Sequence, residues 1–358
     1  MAATLAGAWA REGWEVTVIP TFLGVAPVHY SLDQGVALRP LRDEMATSSC
    51  GLLPRSVLKL WVLRRMVRRL SPDVIVSFLT NVNVTAIVAL RGMGIPLIVS
   101  ERIDPAGRIE CSWILRAAQR LLYQFADSVV VQTRTAEAAY RKILIRAPRM
   151  VVIPNPLPRR LHESSVRSVA ETHGGQIVSM GRLTSQKGFD HLIRAFGLAL
   201  RDCPEWTLGI WGEGPLRSEL EALVEAEGLG ARVQFCGRTT DPWRELAKAQ
   251  IFVLSSQYEG FPNVMMEAMA LGVPCVAYDC PSGPRDLADG GCALLVPSGD
   301  VRALAETVSL LAGNSQRRHA LGSHGAVTVR ERFSESAVMQ RWRALIAAVR
   351  SCNLEPGV

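Results

Sequence analysis

Apolar residues fall in short β-rich runs separated by segments where they recur every third or fourth position, along the whole length of the chain. This alternation predicts a parallel α/β fold. In the first half the runs at 15–19, 74–78, 96–99, 128–131 and 150–153 read as strands, with helical patterns such as 55–70 and 111–126 among them. The second half restarts the rhythm with strands at 176–180, 207–211, 233–236, 251–255 and 275–278. Between the halves stands Ile153-Pro154-Asn155-Pro156-Leu157-Pro158, whose prolines stop any helix and stiffen the passage as a linker would. The aperiodic polar stretch to about Gly175 continues that seam. Residues 1–158 and 159–330 are thus expected to be two doubly wound domains. Phe333, Val338, Trp342 and Ile346 recur at helical spacing, so 331–358 reads as a terminal helix, either crossing back to the first domain or remaining with the second.

The start departs from this pattern. Residues 2–12 form an amphipathic helix with Leu5, Ala8 and Trp9 on one face, ended by Gly13 before the first strand. A doubly wound domain ordinarily opens with a strand and a ligand-facing loop. The first domain is therefore expected to lack its opening strand, and a version extended upstream is expected to be more stable.

Length and composition agree with two globular domains: 358 residues, 48% hydrophobic and 20% charged. Eight cysteines without a CxxC pair or metal-ligand spacing read as thiols of a reducing compartment. No apolar run reaches the length of a membrane span and no leader pattern opens the sequence, so a cytoplasmic protein is expected. Charge is uneven: residues 1–160 hold 21 basic against 11 acidic side chains (+10), and the rest 19 against 22 (−3). A basic half suits an anionic membrane, a phosphorylated acceptor or nucleic acid. Residues 55–70 carry six cations and nine apolar side chains, including Trp61. That helix either packs on its own sheet or lies at an anionic membrane surface.

Two loops hold candidate chemistry. After the strand at 176–180 come Gly181-Arg182 and, five residues past the arginine, Lys187-Gly188 opening a helix with Phe189, Leu192, Ile193 and Phe196 on one face. At the carboxyl end of a parallel strand, two cations beside a helix N-terminus suit a diphosphate. The segment alone equally fits a solvated basic turn. After the strand at 251–255 comes Glu259-Gly260-Phe261-Pro262-Asn263, with Pro262 placed at a first helical position, Glu267 on the helix and Gly272 closing it. Val264, Ala268 and Leu271 give that helix a packing face. Glu267 then lies on another face, as a site residue or as an ordinary exposed carboxylate.

Arg182 and Lys187 followed by the Glu-x7-Glu pair Glu259 and Glu267 resemble family 4 of the retaining glycosyltransferases. Gly212-Glu213-Gly214-Pro215, Phe235-Cys236-Gly237, the stretch 279–286 and the stretch 294–300 support the likeness. The first half resembles the family more loosely, through 71–74 and Ser100-Glu101-Arg102 with Asp104-Pro105, which is similar to the branch that builds bacterial polysaccharides and lipid-linked glycans. The resemblance implies a GT-B fold, two Rossmann-like parallel-sheet domains facing a cleft, and transfer of a hexose or N-acetylhexosamine to a glycan acceptor, with a lipid-linked saccharide preferred. Arg182, Lys187 and Glu259 would be the catalytic residues. Gly181, Gly260, Phe261, Pro262, Asn263 and Glu267 would complete the donor site, with Glu267 on the ribose. Glu101 would touch the acceptor or sugar, or serve as a structural pair with Arg102. No cofactor or metal is implied, only a nucleotide diphosphate-sugar co-substrate, with a UDP-sugar the preferred guess; no Asp-x-Asp occurs in the chain. Nucleic acid is not expected as a partner. The expected location is the cytoplasm, at the inner face of the membrane if the basic helix docks there.

Three other readings share parts of this pattern. An epimerase acting on the donor alone would give product without acceptor. An inactive chain serving as an assembly subunit draws support from the missing opening strand. A dinucleotide dehydrogenase lacks its Gly-x-Gly-x-x-Gly after a strand.

Overall fold

The computed structural model describes residues 2–22, 32–46, 54–102, 112–146, 148–163 and 175–354. The chain divides into two compact units, Met1–Asn155 with Glu335–Val358, and Pro156–Ser334. The boundary falls inside the proline-rich seam.

The first unit runs α1 (Ala2–Arg11), β1 (Val16–Val18), β2 (Val36–Leu38), α2 (Leu41–Ala46), α3 (Arg55–Leu70), β3 (Ile75–Phe78), α4 (Thr80–Leu90), β4 (Leu97–Ser100), α5 (Trp113–Leu122), β5 (Ser128–Val131), α6 (Arg134–Ile143) and β6 (Arg149–Val152). Among the described residues its strands form two sheets: a parallel β1-β2 pair and a parallel β3-β4-β5-β6 sheet. Both rest on one apolar layer of Leu5, Trp9, Ile98, Val130 and Ile153, with Val16 and Val76 packed against it. The opposite face of the larger sheet is covered by α3, whose Val62, Leu63, Met66 and Val67 are buried among Val99, Val129 and Val131. The basic helix therefore packs. Its Arg64 donates to the carbonyls of Ala89 and Arg91 at 2.8 and 2.9 Å, closing the end of α4.

The second unit runs α7 (Arg159–Glu163), β7 (Gly175–Met180), α8 (Phe189–Ala199), β8 (Trp206–Trp211), α9 (Arg217–Ala226), β9 (Val233–Gly237), α10 (Pro242–Lys248), β10 (Ile251–Leu254), α11 (Asn263–Ala270), β11 (Cys275–Asp279), α12 (Pro284–Ala288), β12 (Leu294–Pro297), α13 (Val301–Ala312) and α14 (Ser315–Arg332). Its six strands are parallel in the order β12-β11-β10-β7-β8-β9. The central strands β7, β10 and β11 are buried on both faces. Val178, Phe252 and Cys275 point into one apolar layer, and Ile177, Val253 and Val276 into the other.

The final helix, α15 (Glu335–Leu354), belongs to the first unit. Val338, Met339 and Trp342 enter the layer of Trp9, and the two indoles meet edge to face at 5.6 Å.

Ten strands lie where the apolar runs predict them. β2 and β12 were not expected from the pattern. β2 has only three residues and is half exposed, and β12 is a short edge strand that ends on a proline. The expected helix start at Cys111 and the motif residues Asp104 and Pro105 lie outside the described residues.

Candidate functional site

In the second unit the strand order reverses between β10 and β7, because β7 continues to β8 on one side while β10 continues to β11 on the other. At such a switch point the loops beyond the carboxyl ends of the two strands diverge and leave room for a ligand. These are the two loops the sequence singled out, 181–188 and 255–262.

They are tied to each other at several points. Gln186 donates from Nε2 to the Tyr258 carbonyl at 2.9 Å, the Gln257 amide donates to the Gln186 carbonyl at 2.8 Å, and Ser255 Oγ donates to the Lys187 carbonyl at 2.8 Å. Gly188 makes this closeness attainable. Its φ is +57°, and a Cβ there would stand 2.3 Å from the Ser255 carbonyl oxygen. Gly212 does the same on the other side, at φ +136° with a Cβ position 1.9 Å from the Gly181 carbonyl.

Lys187 and Glu259 meet across this seam, Nζ to Oε1 at 2.5 Å, with Glu259 only 7% exposed. A charge-assisted bond of this length in a largely enclosed place orients both groups. The lysine methylenes lie along Gly181, where a Cβ would meet them at 3.1 Å. Arg182 is exposed on the same loop. No hydrogen bond or ion pair joins Arg182 or Glu267 to the Lys187–Glu259 pair among the described residues.

Pro262 stands one position earlier than expected, as the residue before α11, and Asn263 is the first helical residue. The Asn263 amide donates to the Phe261 carbonyl at 2.9 Å, and Pro262 gives the rest of the first turn no side-chain cap, an arrangement that favours an anion. Gly260 accepts from Ser282 Oγ at 3.3 Å through its carbonyl. Phe261 is a core residue, its ring edge-on to Phe333 at 5.6 Å. The packing face expected of Val264, Ala268 and Leu271 is wider in the fold. Met265, Met266 and Met269 are also buried, because α11 lies in the centre of the layer between β10, β11 and α14.

Glu267 is not an exposed helix carboxylate. Burial pushes its pKa up to about 7, against a smaller lowering by Trp243, whose Nε1 donates to Oε2 at 3.2 Å. Trp243 is the residue the sequence reading missed. Its local signal was Asp241-Pro242-Trp243, a capped helix start with proline in the first turn, which gives no hint of the partner 24 residues onward.

Glu101 belongs to the first unit and is 2% exposed. Its carboxylate accepts from Thr80 Oγ1 at 3.0 Å, Gln119 Nε2 at 2.8 Å, Asn83 Nδ2 at 3.4 Å and the Tyr123 hydroxyl. Burial and the adjacent carboxylate push the Tyr123 hydroxyl well above its ordinary pKa, so it stays a donor. This placement differs from the expected sugar contact: the carboxylate is enclosed by donors of α4 and α5 and ties both helices to the end of β4. It does not hydrogen-bond Arg102, whose Nη1 donates instead to Asn155 Oδ1 at 2.6 Å.

Residues 163–327 match the family described as glycosyl transferases group 1, and residues 1–156 match a glycosyl transferase 4-like domain. An exopolysaccharide phosphotransferase of Streptomyces coelicolor is 37% identical over 235 residues, covering 64% of this chain but only 24% of that longer protein. An undecaprenol-diphosphate-linked-glycan alpha-1,4-N-acetyl-D-galactosaminyltransferase of Campylobacter jejuni is 28% identical over 350 residues, covering 97% of this chain and 94% of its own length. Among solved structures, Anabaena HepE in complex with UDP superposes with a TM-score of 0.78 at 18% identity, over 97% of this chain and 96% of that one.

Proposed function

We propose that this chain, a glycosyltransferase of the GT-B fold by its two matching domains and two Rossmann-like parallel sheets, moves a hexose or N-acetylhexosamine from a nucleotide diphosphate-sugar to a glycan acceptor with retention. The observation that carries this reading is the Lys187–Glu259 pair at the switch point beside the uncapped start of α11. A lysine held there meets a donor diphosphate, and the helix N–H groups share its charge.

In the reaction the bond between the anomeric carbon and the diphosphate oxygen breaks. Positive charge grows on the sugar ring and negative charge on the leaving phosphate. Lys187 and Arg182 stabilise that anion, each contact contributing on the order of 3 kcal/mol by analogy with oxyanion donors. The acceptor hydroxyl attacks from the face the diphosphate leaves, and its proton passes to the departing phosphate oxygen. Glu259, already fixed by Lys187, contacts the transferred sugar, and Glu267 takes the ribose hydroxyls. Two fixed cations supply the charge that a metal would otherwise bring, so activity is expected to persist in EDTA. A UDP-sugar is the favoured donor, since the HepE structure holds UDP. A lipid-linked saccharide is the favoured acceptor, since the Campylobacter relative is named for an undecaprenol-linked one.

Such an acceptor lies at a membrane. No helix among the described residues is long and apolar enough to cross one. Surface docking is supported by α5 rather than α3 alone. Trp113, Ile114 and Leu121 are exposed on α5 beside Arg116 and Arg120, and Trp61 of α3 is exposed as well. Apolar side chains flanked by arginines suit an anionic bilayer surface at the inner face of the cell membrane. Co-sedimentation should favour anionic over neutral vesicles and weaken in Trp113→Glu; equal sedimentation removes the membrane part of the proposal.

The test of the whole reading is titration with UDP, GDP and their sugars, followed by transfer to a lipid-linked acceptor with the anomeric configuration of the product read by NMR. Binding of one nucleotide class that is lost in Arg182→Ala, with an axial linkage from an axial donor, supports it. Product formed from the donor without acceptor moves the reading to an epimerase. No nucleotide binding by the folded chain moves it to an assembly subunit.

A further inference from the structure

A second charged group is built wholly from residues of the first unit. Arg102 follows β4 by two residues, at the carboxyl edge of the β3-β4-β5-β6 sheet. Its guanidinium lies over the Phe78 ring at 5.1 Å, and Nη1 donates to Asn155 Oδ1. The other two nitrogens, Nε and Nη2, are buried and have no hydrogen-bond partner among the described residues. Glu101 next to it attracts the guanidinium but makes no hydrogen bond to it among the described residues, its carboxylate being taken up by Thr80, Asn83, Gln119 and Tyr123.

Leaving N–H groups of a buried cation unpaired costs several kcal/mol, so the arrangement requires an explanation. The two unpaired nitrogens are the informative part. Nε–H and Nη2–H point the same way within the plane of the guanidinium and form the fork that takes two oxygens of one oxyanion. Asn155 and Phe78 occupy the rest of the group and fix its direction. Burial lowers the pKa of Arg102 to about 10, partly offset by Glu101, so it is a full cation at neutral pH.

α4 starts directly beyond β3 with no side-chain cap, and its first residue Thr80 touches Glu101, the neighbour of Arg102. The turn into that helix is strained: Leu79 has φ +76°, a conformation that side-chain-bearing residues seldom adopt. Ser100, the last residue of β4, also keeps a buried hydroxyl without a partner.

We propose that Arg102 is the anchor of a phosphoryl-binding site in the first unit, its Nε/Nη2 fork taking two oxygens of a phosphate or diphosphate ligand. Two sources share this chemistry, a diphosphate that links an acceptor to its lipid and the diphosphate of the donor. The inference does not depend on the donor site assigned above, and the test separates them.

Calorimetric titration of the full chain carrying Arg182→Ala, Lys187→Met and Glu259→Gln with inorganic pyrophosphate reads this site alone. Binding is expected to remain in that background. It should weaken at least tenfold on adding Arg102→Met, and also on adding Arg102→Lys, which keeps the charge but lacks the fork. Arg102→Met should melt no lower than its parent, because an apolar chain replaces a buried cation; if it fails to fold, Arg102→Lys decides. No pyrophosphate binding once Arg182 and Lys187 are gone, or binding indifferent to Arg102, overturns the proposal. Tighter binding of malonate than of pyrophosphate overturns its phosphoryl assignment. Tighter Arg102-dependent binding of geranyl diphosphate than of UDP identifies the lipid-linked source, and the reverse order identifies the donor.

Discussion

The two units treat a buried carboxylate at the end of a parallel sheet in opposite ways. In the second unit Glu259 is held by one cation, Lys187, in a loop that leads into a helix start no side chain of Pro262 caps. In the first unit Glu101 is surrounded by four neutral donors, and the cation beside it keeps two nitrogens without a hydrogen-bond partner among the described residues. A carboxylate satisfied by one lysine can share that lysine with an arriving phosphate. A carboxylate satisfied by a rigid ring of hydroxyls and amides has nothing left to exchange, and serves to fix its surroundings. Similar positions on similar sheets thus differ in what they can do, and the number and kind of partners decides it.

The contrast breaks most visibly at Lys187. Lys187→Ala leaves Glu259 enclosed without its cation, and removing one partner of a buried pair costs about 3–5 kcal/mol. A large drop in melting temperature is expected together with loss of nucleotide binding. Lys187→Met combined with Glu259→Gln should recover most of the stability but none of the binding. If the double variant melts as low as Lys187→Ala, the pair is not the reason.

Glu101→Ala is expected to destabilise by about 2–3 kcal/mol, since it strands several buried donors, while leaving nucleotide affinity unchanged. Glu101→Gln separates stability from chemistry. A variant that melts normally but loses turnover would return Glu101 to the sugar contact expected from sequence, against the enclosed placement described here.

Gly188→Ala should cost about 1–3 kcal/mol through overlap with the Ser255 carbonyl. Because it forces the two donor loops apart, nucleotide affinity should fall with stability. Unchanged affinity would show that the ties between the loops are not needed for the site.

The smallest effect is a pH dependence at Glu267. Its pKa is raised from 4.5 to about 7 by burial, so the folded chain keeps the proton to higher pH than the unfolded chain. The folded state binds more protons in this window, and its contribution to stability therefore declines as pH rises from 4.5 through about 7. A ribose diol donates to the ionised carboxylate, so nucleotide affinity should rise over the same range near pH 7, about tenfold for each unit by which the nucleotide lowers that pKa. Glu267→Gln should flatten both profiles. A wild-type profile flat from pH 5 to 8 removes Glu267 from the ribose.

Much of this was legible beforehand. The buried parallel strands are apolar runs bounded by glycine and proline, and both donor loops were found because glycine, lysine and glutamate stand at fixed distances along one stretch of chain. β2 and β12 were missed because short edge strands bury too little to leave a pattern. Trp243 was missed because an indole two residues into a capped helix looks like any packing residue until its partner carboxylate is in place.

The chain by itself therefore determined which segments become strands and helices, where the proline seam lies, and which two loops carry charge, since all of these depend on neighbours a few residues apart. Only the tertiary structure decided that Lys187 reaches Glu259, that burial brings Glu267 near neutrality, that Glu101 is enclosed, and that Nε and Nη2 of Arg102 are buried without a hydrogen-bond partner among the described residues. Those outcomes depend on desolvation and on partners 18 to 72 residues apart. Neither quantity is carried by local spacing.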